Sequence, residues 1–407
     1  MKCIWILDTY PFLTKRQQTQ EDSVKDVKNW SPLHFLASLG AGGMAVTFFM
    51  YLMFWVPHPN QPIPIFSDWF SHLGTAGLGM QLMILLGVAG ILVFAGFHFK
   101  WLLLNFVEYQ KFKKNQSLAK IVGTNAHTQL MAMPLTYAMS INVCFIIGAI
   151  FVPGLWEFVE WLFPVSILIF LAIGVWASRI YLDFFSHVLH HGSFDHTANN
   201  SLSQLLPSFA FAMVGVGLAA PAAMSHNDLT IGISYFLSLF FTTGALFLGM
   251  IKLVIGMDDM LKQGVSRASL PTIWVVIPIL TTAGIAVMRL SHGLHKLELG
   301  HGASNFIFLS MVFSIQIIFF LMGCAVMRRM HYFHKLLNHE ETAPVTLALI
   351  CPGVAFVVMG HFVLNKVIME SGIIAKFGIV YLLLSLALIV LQFLTGWLLF
   401  RLAKEQF

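Results

Sequence analysis

Charge is scarce in this sequence: Asp, Glu, Lys and Arg make up 10% of 407 residues. A water-soluble domain carries roughly a quarter of its residues as charges, so a soluble globular fold does not fit. Cysteine is also rare, and Cys3, Cys144, Cys324 and Cys351 show no metal-ligand spacing. A disulfide framework or zinc centre therefore has no support. No polar stretch exceeds about 30 residues, which leaves no room for a separate cytosolic enzyme domain. The pattern of a secretory leader is missing too. The apolar run from Cys3 to Leu7 is short, and Asp8, Lys15, Arg16 and a polar stretch to Asn29 follow it.

What is present is apolar surface, with 58% hydrophobic residues and a mean hydropathy of +0.80. Ten windows are long enough to cross a hydrocarbon layer of about 30 Å. They run over 33–55, 72–97, 127–151, 161–183, 205–224, 229–255, 271–290, 303–328, 343–367 and 374–401. The expected organisation is a cytosolic tail over 1–31, a transmembrane domain over 32–401 and a short cytosolic tail over 402–407. With the N-terminus inside, every Lys and Arg except Arg289, Lys296, Lys366 and Lys376 falls on the cytosolic side. Both termini are then cytosolic, as an even number of helices requires. The net charge of +5 thus reflects membrane topology, and nucleic acid is not expected as a partner.

Proline follows a second pattern. The odd-numbered spans hold Pro32, Pro134, Pro207, Pro221, Pro271, Pro278, Pro344 and Pro352, whereas the even-numbered ones hold only Pro164, near a helix start. Glycine is dense on the first span (Gly40, Gly42, Gly43) and on the fifth (Gly215, Gly217). A proline inside a helix frees a carbonyl that needs another partner or a polar cavity. Odd helices are therefore expected inside, with breaks and close contacts, and even helices outside. The simpler alternative is that both residues are common in membrane helices.

The ten spans, the Ser31-Pro32 step into a glycine-rich first helix, the stretch from Pro271-Thr272 to Pro278, and Pro352-Gly353 form a recognisable set. In these features the chain resembles the tellurite-resistance/dicarboxylate transporter family over residues 31–401. That family includes bacterial anion channels, fungal malate and sulfite transporters, and the slow anion channels of plant guard cells. The resemblance implies an all-α polytopic fold of five helical hairpins, with odd helices forming a central pore in each protomer of a homotrimer. It implies a small anion as substrate, membrane lipid as surroundings, no cofactor and a bacterial inner (plasma) membrane location. It also implies a phenylalanine gate on the ninth helix beside the mid-helix proline. Here Cys351 precedes Pro352. The gate is then either shifted to Phe356 or built differently.

A pathway between inner helices needs small or polar residues at mid-depth. Gly40, Gly43, Thr136, Ser140, Asn142, Ser208, Thr281 and Thr282 meet that need, since hydroxyl and amide donors hold an anion weakly enough to release it. The competing reading for each is a hydrogen bond within its own helix. Phe209, Phe211 and Phe356 are candidate constrictions. Phe356 is favoured because Gly353, three residues earlier, leaves its ring room to move. His361 and Asn365 sit in the outer half of the ninth span, where a histidine acts as a proton-linked switch or bonds a neighbouring helix. Arg289 and Lys366 near the outer end either attract anions or extend to headgroups.

Seventeen histidines stand beside eighteen acidic residues. His187, His190 and His191 match the HxxHH form of membrane di-iron hydroxylases, and His196 follows in what reads as the loop after the fourth span. A membrane oxidoreductase is accordingly the rival class. Against it, only one such motif occurs, and His292, His295 and His301 lie on the opposite face. The bland reading is a set of polar loop residues.

Overall fold

The computed structural model describes residues 30–296 and 305–407. Most of the expected tail, with Cys3, and part of the 291–302 loop, with His301, lie outside the described residues. The protein is an all-α, polytopic integral membrane protein. Among the described residues ten helices are long and apolar enough to span a bilayer: α1 (Pro32–Trp55), α2 (Leu78–Lys114), α3 (Asn125–Phe151), α4 (Leu155–His191), α5 (Ser203–Met224), α6 (Asp228–Gln263), α7 (Arg267–Lys296), α8 (Phe306–Arg329), α9 (Pro344–Met369) and α10 (Ile379–Gln406).

Local chemistry sets many of their ends. Each odd helix opens with a 3₁₀ segment: Pro32–His34, Asn125–Met131, Ser203–Leu205, Arg267–Val275 and Pro344–Leu349. Pro32 and Pro344 occupy first-turn positions where the missing N–H costs no helical bond. Thr124 caps α3 by accepting from the Ala126 N–H at 3.2 Å. Asn227 does the same for α6, accepting from Thr230 N–H at 3.0 Å. α4 stops at Gly192, whose φ of 60° is the left-handed conformation that glycine adopts without a steric cost.

Burial divides along the odd/even line. The most apolar windows of the odd helices are 67–94% buried, those of the even helices 22–39%. α1 packs against α3, α3 against α5, α5 against α7, α7 against α9 and α9 against α1, a closed ring of odd helices. Their five 3₁₀ segments touch in the same cyclic order at the end where residues 30 and 407 lie. Each odd helix also contacts the even helix that follows it. Close approach explains part of the glycine pattern. A Cβ on Gly40 would lie 2.7 Å from Ile350 and one on Gly43 2.8 Å from Val354, so both glycines let α1 approach α9.

Three of the even helices are longer than the sequence suggests. α2, α4 and α6 have 37, 37 and 36 residues, about 55 Å at 1.5 Å per residue against a hydrocarbon layer of about 30 Å. What reads as loop after each is helix that continues out of the apolar zone. His187, His190 and His191 are corrected by this: they occupy the last turns of α4, and only His196 is in the connection that follows. The second span is corrected in the other direction. It begins at Leu78, and a separate helix, Phe66–Thr75, precedes it.

Alternation of the ten helices places the 192–202 connection and the 370–378 connection on opposite faces. Single cysteines at the exposed Ser193 and Ser371, in a background without reactive native thiols, should label from opposite sides of intact vesicles. The Ser193 site should label from the cytosol. Labelling of both from one side would sink the ten-span topology.

Candidate functional site

The odd helices, together with α4, line a cavity of about 370 Å³. Its lining begins at Leu39 on α1, Met139 on α3, Phe209 on α5, Pro278 on α7 and Cys351 on α9. It ends at Met53, Ile146, Met224, His292 and Lys366 on the same five helices, with Phe163, Ser166 and Phe170 from α4 and Pro62 and Ile63 from the α1–α2 connection. The cavity therefore occupies the half of the bundle away from the chain termini. Beyond these lining residues, toward the 3₁₀ ring, Leu36, Leu135, Ile277 and Leu347 are all buried.

Most of the wall is methionine, phenylalanine and aliphatic side chain. The exceptions gather at the far end. Arg289, near the far end of α7, is part-exposed and lines the cavity. Its Nη1 donates to the Val216 carbonyl of α5 at 3.0 Å. A guanidinium has five N–H donors, so that bond leaves others for a ligand. Among the described residues, no carboxylate pairs with it. His292, three residues on and on the same helical face, also lines the cavity. Lys366, Glu370, Arg289 and His295 all stand close enough to act on its ring electrostatically. Lys366 Nζ is held by Glu370 Oε1 at 2.7 Å. It sits in a π-helical stretch, Leu364–Met369, at the end of α9. Such stretches are rare and concentrate at functional sites.

The expected pathway residues divide into two groups. Gly40, Gly43, Asn142, Thr281, Thr282 and Cys351 line the cavity. Thr136, Ser140, Ser208, Phe211, Gly353, Phe356 and His361 do not. The physical reason is visible in each case. Thr136 donates to the Ala132 carbonyl at 2.7 Å, and Ser208 to the Ala245 carbonyl of α6 at 2.5 Å. Ser140 Oγ lies between the Thr136 carbonyl at 3.0 Å and His98 Nε2 at 2.8 Å. Phe211 packs against Tyr181 and Phe241. Gly353 faces Thr395, where a Cβ would come within 2.3 Å of Oγ1.

Phe356 stacks edge-on against Phe313 and Phe320, turned to α8 and away from the cavity. His361 is fully buried among Tyr51, Phe54 and Trp55 of α1, and among the described residues neither ring nitrogen has a hydrogen-bond partner. Asn365 lies nearby, its Nδ2 donating to the His361 carbonyl at 2.8 Å and its Oδ1 accepting from Tyr381 at 2.8 Å.

The hydroxyls that line the cavity have their donors engaged. Thr282 donates to the Pro278 and Ile279 carbonyls at 2.9 and 3.0 Å. Thr281 has the Ile277 carbonyl at 3.2 Å and accepts from Gln316 at 2.7 Å. Asn142 Nδ2 gives one N–H to the Ala138 carbonyl at 3.2 Å, and its other has only the weak acceptor Met213 Sδ at 3.7 Å.

His98 was not among the expected site residues. It is fully buried on α2, its Nδ1 donates to the Ser38 carbonyl at 2.8 Å, and with Ser140 it ties α1, α2 and α3 together. The only signal in the sequence is a lone histidine between Phe97 and Phe99 in an apolar run.

At the other face, the rings of His187 and His191 stand 4.3 Å apart, while His196 turns to Asp259 at 3.1 Å. Among the described residues, no three His, Cys, Asp or Glu side chains are placed to hold one metal ion.

No family model and no curated protein matches the chain.

Proposed function

We propose that this protein moves a small anion across the membrane, through a passage enclosed by the odd helices of each protomer. One observation carries the reading: Arg289 is held inside the protein facing the cavity, with no carboxylate partner among the described residues. A half-buried charge left without a partner is partly desolvated at a cost. A bound anion offsets that cost, whereas a cation adds to it. The floor of buried apolar side chains below Leu39, Phe209 and Cys351 then corresponds to a closed state, because a dehydrated ion does not cross an apolar constriction cheaply. The resemblance described above adds a homotrimer with one passage per subunit, a central pore, and a bacterial inner membrane with both termini cytosolic.

The test is flux in proteoliposomes loaded with chloride, nitrate, sulfite or malate, with and without a proton gradient. At least one anion should cross faster than in protein-free liposomes. If none does under either gradient, the reading fails.

A further inference from the structure

The same cavity restricts the kind of anion, on the assumption that the transport reading holds. Its charge sits at one end only. On α7, Arg289 lies eleven residues beyond Pro278, about 16 Å at 1.5 Å per residue. Over that depth the wall is Leu39, Met139, Phe209, Met213, Val354 and Cys351. The hydroxyls of Thr282 and Ser166 there donate to carbonyls of their own helices, at 2.9 and 2.8 Å. The Asn142 amide nitrogen gives one N–H to the Ala138 carbonyl and has only Met213 Sδ, at 3.7 Å, for the other.

A cavity of about 370 Å³ is within the size range of sites for organic molecules, roughly 300–1,000 Å³. A halide or nitrate in the deep section would lose its water with no more than one amide N–H, that of Asn142, in exchange. A dianion long enough to extend beyond the Arg289 and Lys366 end would place its second charge in the same apolar section. Polarizable, flexible methionine walls suit an apolar body of variable shape.

We infer that the preferred ligand is an amphiphilic organic monoanion, its charged head at Arg289, His292 and Lys366 and its apolar body pointing toward Met139, Phe209 and Met213.

The experiment measures binding of linear alkylsulfonates, from ethane- to octanesulfonate, to the full chain in nanodiscs, with empty nanodiscs as the blank. Sulfonates stay charged at all working pH values, so permeation of a neutral acid does not intrude. Affinity should rise about fourfold per methylene until the body reaches the floor. The α,ω-disulfonates of equal length should bind more weakly than the corresponding monosulfonates. Met213→Gln and, independently, Met139→Gln should shrink the ratio of octane- to ethanesulfonate affinity. Arg289→Gln should weaken the whole series.

A flat dependence on chain length, together with Arg289-dependent binding of chloride or disulfonates, overturns this inference and leaves the anion reading standing. Absence of binding by any sulfonate or inorganic anion, with no flux, overturns both. A slope that is unchanged in Arg289→Gln and matched by empty nanodiscs assigns the binding to lipid and also overturns the inference.

Discussion

Arg289→Gln is expected to cut anion flux in proteoliposomes by roughly 10- to 100-fold, as the loss of a charged hydrogen bond worth about 1.5–3 kcal/mol implies. Folded yield should not fall with it. The shorter glutamine gives up the 3.0 Å bond from Arg289 to the Val216 carbonyl, and removing a partly desolvated charge offsets that loss. Lys366→Gln should cost less, because Glu370 already engages its ammonium at 2.7 Å and an exposed pair of this kind contributes little. Flux through Arg289→Gln equal to that of the parent protein would remove the cation from the mechanism.

The second large effect is expected at the cavity floor. Phe209 is 3% exposed and lines the deep end of the cavity on α5, where a ring is suited to exclude water. Phe209→Ala should raise basal flux about tenfold, equivalent to about 1.4 kcal/mol off the barrier. Truncating a buried phenylalanine also destabilises a core by about 3–5 kcal/mol, so Phe209→Val provides a milder companion and should raise flux in the same direction. Phe356→Ala should leave flux unchanged, since its ring packs against Phe313 and Phe320 of α8. The reverse result, with Phe356 controlling flux and Phe209 silent, would put the constriction on the α8–α9 face.

The spans were legible because lipid imposes a simple rule on composition, and the odd/even burial difference was legible through Pro271, Pro278, Pro344 and Pro352. The lengths of α2, α4 and α6 were not. Once such a helix leaves the apolar zone its residues become polar, and the His187–His191 stretch then has the composition of a loop. Thr136, Ser140 and Ser208 have the type and depth of pathway residues, but a hydroxyl on a helix satisfies a carbonyl of its own turn or of a touching helix before it faces a cavity. Periodicity carries no information about that choice. The importance of Arg289 and Lys366 was half legible. Both read as outer-end cations, but their convergence with His292 depends on how α7 and α9 are rotated, and a single sequence does not contain that rotation. His98 bonds three helices together through partners 42 and 60 positions away, a distance no local pattern spans.

The extended even helices have a mechanical consequence. α6 is a stiff rod anchored along the inner ring, and its polar end is tied to the 192–202 connection: Asp259 bonds His196 and Asn199, and Gln263 Nε2 donates to the His196 carbonyl at 2.8 Å. A rod about 55 Å long works as a lever: pivoting by about 5° around its packed segment moves its end by about 3 Å. A small rearrangement of the ring is therefore carried through α6 to that connection. Probes attached there would report opening of the passage without touching its lining.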